Sequence, residues 1–351
     1  MSIHDIRKNI DQYDSKIVKL LNDRMEQVLM TKKFKPEVED LEREQALFAK
    51  IKTNATKLIG NEFIERIYLE IIKESKKLQA RNYKLIAFQG EHGAYSEVAS
   101  RKWNDDLIPV PCTEFAQIFE GVKSELYDFG IVPVENTLGG IVGEANVLLI
   151  NTDLHVVGAI EIPIHLCLLV LPGSDHREIR SAYSHLQALA QSRHFLARNR
   201  LEPVPYYDTA GAARMLAENR LKGSAAIASK LAAKLYNLEI IKEDIEDLDR
   251  NMTRFLILSK EAHQGEGDKC SVTFSTEHKA AALFKALEVF AKEEINLTRI
   301  ESVPSEPGSY AFFLDFMGSI KDEKIIKALA EVQAITINFR LMGCYKERKV
   351  V

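Results

Sequence analysis

At 351 residues the chain exceeds what one hydrophobic core usually organises, so two or three domains are expected. Its 46% hydrophobic and 28% charged residues are ordinary for a globular protein, and a formal net charge of −4 gives no reason to expect nucleic acid or an anionic membrane as partner. No apolar run approaches the ~18 residues of a membrane span, and the amino terminus has no signal-peptide core, so the protein is expected in the cytoplasm. Cys112, Cys167, Cys270 and Cys344 are far apart and form no C-x-x-C pair; they read as small core residues, and no metal or cofactor is expected.

Residues 1–82 hold no glycine before Gly60 and a single proline, Pro36, and read as helical throughout. Ile3, Ile6, Ile10, Tyr13, Ile17 and Leu20 recur at 3-4-3-4-3 spacing, a helical seam. The next seam position is Arg24, and Arg7 lies close to the same line; a guanidinium on an apolar face is costly unless it meets an anion. The pattern predicts helices over about 3–35, 39–57 and 61–80, the first roughly 50 Å long at 1.5 Å per residue. Three helices with one so long do not close a compact core, so a partner chain is expected to complete it. Asp40, Arg43 and Glu44 share one helix face, as do Ser75 and Gln79. Spacing alone also fits a coiled-coil dimer with solvated charges, and a helix-turn-helix regulator is disfavoured by the mildness of the basic excess.

Residues 83–261 alternate short apolar runs with helical patterns, the order of an α/β fold. Lys84–Phe88 reads as a strand leading through Gly90-Glu-His-Gly93-Ala-Tyr95-Ser96 into a helix. The G-x-x-G spacing is not a dinucleotide fingerprint, which argues against a nicotinamide-dependent dehydrogenase. Gly130–Val134 reads as a buried strand ending in Glu135, Asn136 and Thr137, followed by Gly139-Gly140. An acceptor, an amide and a hydroxyl at a strand's carboxyl end suit a small polar ligand, although the run alone equally fits an Asx-type turn. Further polar clusters are Tyr183-Ser184-His185-Leu186-Gln187 with Gln191, Asp208-Thr209, and Asn251-Met-Thr253-Arg254-Phe255. Each is weak singly, and His185 alone fits a hydrogen-bonded structural histidine.

After a polar, glycine-bearing linker over 264–268, the final region predicts strands at Lys269–Ser275, Leu297–Pro304, Tyr310–Met317 and Ile337–Met342, with helices at Ala280–Lys292 and Asp322–Glu331. That βαββαβ order is a ferredoxin-like split.

Arg7, Arg24, Lys35, Asp40, Arg43, Glu44, Ser75 and Gln79 together resemble the all-helical chorismate mutase family over 1–82. In that family an intertwined dimer borrows one arginine across chains, and the resemblance makes Arg7 the borrowed one. It implies that the arginines hold the carboxylates of chorismate and that Lys35 and Gln79 face its ether oxygen. Glu44 would meet the substrate hydroxyl, with Asp40 and Ser75 completing the lining. Over 83–261 the Glu-Asn-Thr, Ser-His-x-Gln, Thr-Ala-Gly-Ala-Ala and Thr-Arg-Phe motifs resemble prephenate dehydratase. They imply two α/β lobes like those of periplasmic binding proteins, with prephenate in the cleft. The resemblance puts Thr253 at the departing hydroxyl, with His185 or Glu135 as proton source. Asn136, Thr137, Ser184, Gln191, Thr209 and Arg254 would be further contacts. The family usually has proline at Leu186 and often cysteine near Ser192.

Over 268–351, Asn296, Leu297, Thr298, Glu301 and Ser302 resemble the ligand segment of an amino-acid-binding ACT domain, implying phenylalanine as regulator. Two departures, Ala280-Ala281-Ala282-Leu283 for Pro-Gly-x-Leu and Val303 for arginine, are expected to weaken that control. The sequence reading is therefore a multidomain enzyme, an all-α mutase followed by an α/β dehydratase and an α+β regulatory domain. It is expected to be a homodimer or a tetramer. A dehydratase with a purely dimerising helical domain and a non-catalytic ligand sensor are the competing readings.

Overall fold

The computed structural model describes residues 3–34, 37–53, 56–263, 265–306 and 309–350. The chain divides into two compact units, Met1–Lys84 and Leu85–Val351. Lys35 and Gln264, both singled out above, lie outside the described residues.

The first unit is three helices, α1 (Ile3–Thr31), α2 (Leu41–Lys52) and α3 (Asn61–Ala80). α1 stops short of the expected Lys35, because Lys32, Lys33 and Phe34 donate to the carbonyls three residues back and tighten the last turn. α2 also ends earlier than expected, at Lys52, with Thr53 Oγ1 donating to Lys50 O (2.6 Å). The seam of α1 is exposed within one chain: Ile3 is 66% accessible, Tyr13 65% and Leu20 66%.

The second unit opens with β1 (Leu85–Gln89), α4 (Tyr95–Trp103), β2 (Ile108–Cys112), α5 (Phe115–Lys123) and β3 (Phe129–Asn136). β4 (Gly140–Ile141), α6 (Gly143–Ile150) and β5 (His155–Pro163) complete the first pass. The chain then leaves this sheet to build a second from β6 (Cys167–Val170), β7 (Ser181–Ser184), α7 (Leu186–Gln191), α8 (Arg193–Arg198) and β8 (Glu202–Pro205). That sheet is completed by α9 (Thr209–Asn219), β9 (Ser224–Ala228), α10 (Lys230–Leu235) and β10 (Glu239–Lys242), after which β11 (Met252–Ser259) returns to the first. The two crossing segments are tied together, Ile245 N–H donating to Leu166 O (3.0 Å) and Leu166 N–H to Glu246 Oε2 (2.8 Å).

The remainder is β12 (Lys269–Ser275), α11 (Ala282–Lys292), β13 (Leu297–Glu306), β14 (Ser309–Met317), α12 (Glu323–Ile335), β15 (Ile337–Tyr345) and β16 (Glu347–Lys349). Strand order is β16-β5-β11-β3-β1-β2 in the first sheet, with β4 on β3, and β10-β6-β9-β7-β8 in the second. The third sheet, β13-β14-β12-β15, is antiparallel throughout. β16 was not anticipated: it joins β5 in parallel, Glu347 opposite Ala159, so the end of the chain extends the first sheet.

β3 runs two residues past the expected Val134, taking in Glu135 and Asn136, which pair with Arg254 and Thr253 of β11. The register slips between Arg254 and Phe255, where Pro133 offers the ladder no N–H, and such a bulge re-aims the side chains beside it. Fully buried Ile86, Phe88, Ile131, Phe255 and Ile257 form the core beneath these strands.

Candidate active sites

In the first unit Arg24, half-buried on α1, donates from Nη1 to Ser75 Oγ of α3 (2.6 Å), and the Ser75 hydroxyl donates to Ile71 O (2.7 Å). One turn on, Gln79 Nε2 donates to Thr31 Oγ1 (2.7 Å) and Val28 O (3.1 Å). Ser75 and Gln79 are 6% and 7% exposed, so the α1–α3 seam carries a buried polar row among apolar neighbours. Glu44 of α2 pairs with Lys76 of α3 (2.8 Å), a lysine the sequence reading passed over although it follows Ser75 directly. Asp40 is the N-cap of α2, its Oδ1 accepting the Arg43 N–H (3.0 Å), while Arg43 itself is exposed. Arg7 lies seventeen residues before Arg24 on one helix, about 26 Å away along the axis at 1.5 Å per residue. One chain therefore does not bring Arg7 and Arg24 to a common site.

In the second unit a cleft of about 430 Å³ opens between the first two sheets. β3 and β11 supply Asn136, Thr253 and Phe255, and the opposite lobe supplies His185, Gln191, Asp208 and Thr209. Thr253, 8% exposed, accepts from Asn136 Nδ2 (2.8 Å), so its own hydroxyl hydrogen is free to point into the cleft. The same Nδ2 meets Asn251 Oδ1 (2.8 Å), and Asn251 Nδ2 donates to Gln191 Oε1 (3.0 Å), linking the lobes through one amide chain. Asn136 Oδ1 accepts the N–H groups of Leu138 (3.0 Å) and Gly139 (2.6 Å), the Asx turn that the sequence allowed. His185 caps α7, its Nδ1 accepting the Gln187 N–H (3.3 Å), which leaves a neutral ring its proton on Nε2.

Four predicted residues fall outside this cleft. Ser184 is fully buried and donates to Ile227 O (2.7 Å). Thr137 Oγ1 donates to Arg250 O (2.7 Å) and accepts the Met252 N–H (2.9 Å). Arg254 and Glu135 turn to the opposite side of the sheet, 3.6 Å apart. Arg254 donates to Asp315 Oδ2 (2.6 Å), Glu347 Oε1 (2.5 Å) and Tyr345 OH (3.2 Å). Burial would lower this guanidinium's pKa, but the surrounding acids more than offset that and raise it.

Asp208, which the sequence marks only as part of a polar cluster with Thr209 and to which it assigns no role, also lines the cleft. It caps α9, accepting the Gly211 N–H (2.7 Å), and burial raises its carboxyl pKa despite the cap. Its place directly before Thr209, at a helix start, was the available signal. The lobes are held together by Tyr207 OH donating to Glu91 Oε1 (2.6 Å), Arg214 Nη1 to Glu91 Oε2 (2.7 Å) and Ser229 Oγ to Gly93 O (2.5 Å). Gly93 sits at φ +92°, and a Cβ there would lie 2.7 Å from Ala232 Cα, so only glycine admits this approach.

In the third sheet, Asn296, Thr298 and Ser302 are exposed, Leu297 is half-buried, and Glu301 lies 3.8 Å from Arg299. None of the five lines the nearby cavity of about 330 Å³, which is formed by the 276–284 segment with Tyr310 and Phe312.

The family model for Prephenate dehydratase matches residues 86–263, and that for Chorismate mutase type II matches 6–80. A Bifunctional chorismate mutase/prephenate dehydratase from Aquifex aeolicus (strain VF5) is 34% identical across 98% of this chain and 97% of its own length. Arogenate dehydratase/prephenate dehydratase 6, chloroplastic, of Arabidopsis thaliana is 38% identical over 74% of this chain and 68% of its own. Among solved structures, a prephenate dehydratase in complex with L-Phe from Arthrobacter aurescens superposes with a TM-score of 0.69. It is 29% identical and covers 75% of this chain and 89% of its own. No helix among the described residues is long and apolar enough to cross a membrane.

Proposed function

Because the chain belongs to the family of bifunctional chorismate mutase/prephenate dehydratases, we propose a residue-level assignment for its two reactions. It rearranges chorismate to prephenate and converts prephenate to phenylpyruvate, two steps of phenylalanine biosynthesis.

For the first, Arg24 takes one substrate carboxylate, its fork matching carboxylate geometry, with Ser75 holding it in place. Arg7 of a second copy takes the other. Gln79 and Lys35 face the ether oxygen, where negative charge grows as the bond lengthens. Gln79 must first turn its amide away from Thr31 and Val28. Glu44 meets the substrate hydroxyl, with Asp40 and Arg43 completing the lining. The exposed α1 seam supports a second copy packed along it, as a homodimer or a tetramer.

For the second, the carrying observation is the hydrogen bond from Asn136 to Thr253. It fixes Thr253 as acceptor on one side, so its O–H is donated to the ring hydroxyl of prephenate as that C–O bond breaks. The ring carboxylate leaves as carbon dioxide, its bonding electrons complete the aromatic ring, and the departing hydroxide leaves as water. With Glu135 facing away, His185 Nε2–H is the second hydrogen-bond donor to the departing hydroxyl, which is protonated from solvent through Thr253; Gln191 and Thr209 contact the substrate's oxygens. We assign residues 1–82, 83–261 and 268–351 to mutase, dehydratase and an ACT regulatory domain. Incubating the protein with chorismate should give phenylpyruvate through transient prephenate. Loss of chorismate with no phenylpyruvate, or no loss at all, would remove one or both assignments.

The relative bound to L-Phe supports phenylalanine as effector; the effector's contact with the 296–302 segment rests on the resemblance of that segment to an ACT domain. Ala281 adopts φ +64°, the left-handed region that favours glycine, at the position where the family pattern has glycine. Ala281→Gly should therefore stabilise the protein by about 1 kcal/mol in a denaturant titration and strengthen phenylalanine inhibition. Unchanged or lower stability would show that the left-handed turn carries no strain.

A further inference from the structure

The geometry points to Asp315, on β14 of the third sheet, as a positioning residue for dehydration that acts through Arg254 on the Thr253–Asn136 pair. It rests on the assignment of Thr253 above. In a strand, neighbouring side chains point to opposite faces, so Thr253 in the cleft requires Arg254 to face away from it. The structure provides that second face with a dedicated receptor. Asp315 is fully buried; Oδ2 accepts Arg254 Nη1 (2.6 Å), and Oδ1 accepts the Ser271 hydroxyl. Glu347 spans Arg254 Nε (2.5 Å) and Lys269 Nζ (2.8 Å), and Tyr345 OH bonds both Arg254 Nη2 (3.2 Å) and Ser271 Oγ (2.7 Å). Arg299 closes the cluster, 3.9 Å from Asp315 and 4.0 Å from Glu135, its guanidinium 4.8 Å from the centre of the Phe313 ring.

A guanidinium 5% exposed and bonded to two carboxylates and a phenol does not shift without stranding charge in the interior. The peptide that carries it also carries Thr253, and its ladder partner Glu135 adjoins Asn136. The register slip falls beside this pair, where the ladder alone constrains the backbone least. The third sheet therefore supplies the anchor that the bulge withholds. Displacement of a reacting group by about 1 Å is worth on the order of a hundredfold in rate, so the anchor bears on turnover while touching no substrate.

The test uses the full chain with prephenate supplied directly. Asp315→Asn and Arg254→Gln, singly and combined, should each lower kcat about tenfold or more with KM within about threefold, and the double variant should fall no further than the worse single. Parental kcat in Asp315→Asn, or losses that multiply in the double variant, would overturn the proposal. Phe290→Leu, a core change 5.2 Å from the Phe316 ring and outside the cluster, should keep kcat while lowering the melting temperature. An equal kcat loss there would make the effect general loosening and also overturn it. If Asp315→Asn does not fold, Arg254→Lys decides: it keeps the charge but cannot span Asp315, Glu347 and Tyr345, so kcat should fall at unchanged KM, and parental kcat refutes the anchor. Thr253→Ala in the same assay separates the two claims, since full activity there sinks the Thr253 assignment whatever Asp315 does.

Discussion

Thr253→Ala is expected to lower the dehydration of prephenate by about a hundredfold to a thousandfold, the range for removing one donor aimed at developing charge. Alanine keeps the backbone, which pairs with Asn136 on one side and Ile162 on the other, so the strand and its register persist. What disappears is the hydroxyl that accepts from Asn136 Nδ2 at 2.8 Å and donates toward the cleft. The lost bond should cost about 1 kcal/mol of stability, too little to unfold the unit. Thr253→Ser restores the donor without the methyl group that limits its rotamers, and should recover part of the rate. Chorismate rearrangement, assayed on the same preparations, should be unchanged. Parental dehydration in Thr253→Ala would move the leading role to His185, whose Nε2 is the next donor lining the cleft.

Thr253 illustrates how much of the site could be read before the fold was seen. Each of Asn136, His185, Gln191, Thr209 and Thr253 lies at the end of an apolar run, and all five meet in one cleft. Their immediate neighbours Glu135, Ser184 and Arg254 do not, and alternation along a strand was the physical signal that separates them. A motif quoted as consecutive letters hides that alternation. Thr253 and Arg254 adjoin in sequence, yet one faces substrate and the other a buried carboxylate 2.6 Å away. Strands with strong β-branched or aromatic runs were legible to their ends, as with Lys269–Ser275. β16 was not, because Glu347-Arg-Lys has no apolar period and owes its strand to a partner, β5, nearly two hundred residues earlier. The early end of α1 is of the same kind: its closing turn is set by backbone bonds that residue type does not announce.

Arg24→Ala should lower chorismate rearrangement by at least about a hundredfold while leaving dehydration of supplied prephenate intact. The guanidinium sits in an apolar seam, its Nη1 2.6 Å from a serine that is itself 6% exposed, and a charge so placed needs an anion. Alanine removes the cation and leaves a helix former, so α1 should persist. Arg7→Ala should be as damaging, although Arg7 lies about 26 Å from Arg24 along α1. That separation makes the decisive measurement one of mixing. In a two-fold dimer that shares its sites, a chain with Arg7→Ala and a chain with Arg24→Ala form one dead site and one undamaged site. Equal amounts, allowed to exchange, put half the chains' dimers in the mixed state and should return about a quarter of parental turnover. Native mass spectrometry reports whether mixed dimers formed. Full mixing without recovery would mean that the sites are not shared between chains; Arg7, about 26 Å from Arg24 along α1, would then have no part in the Arg24 site, and the exposed Ile3–Leu20 stripe would serve assembly alone.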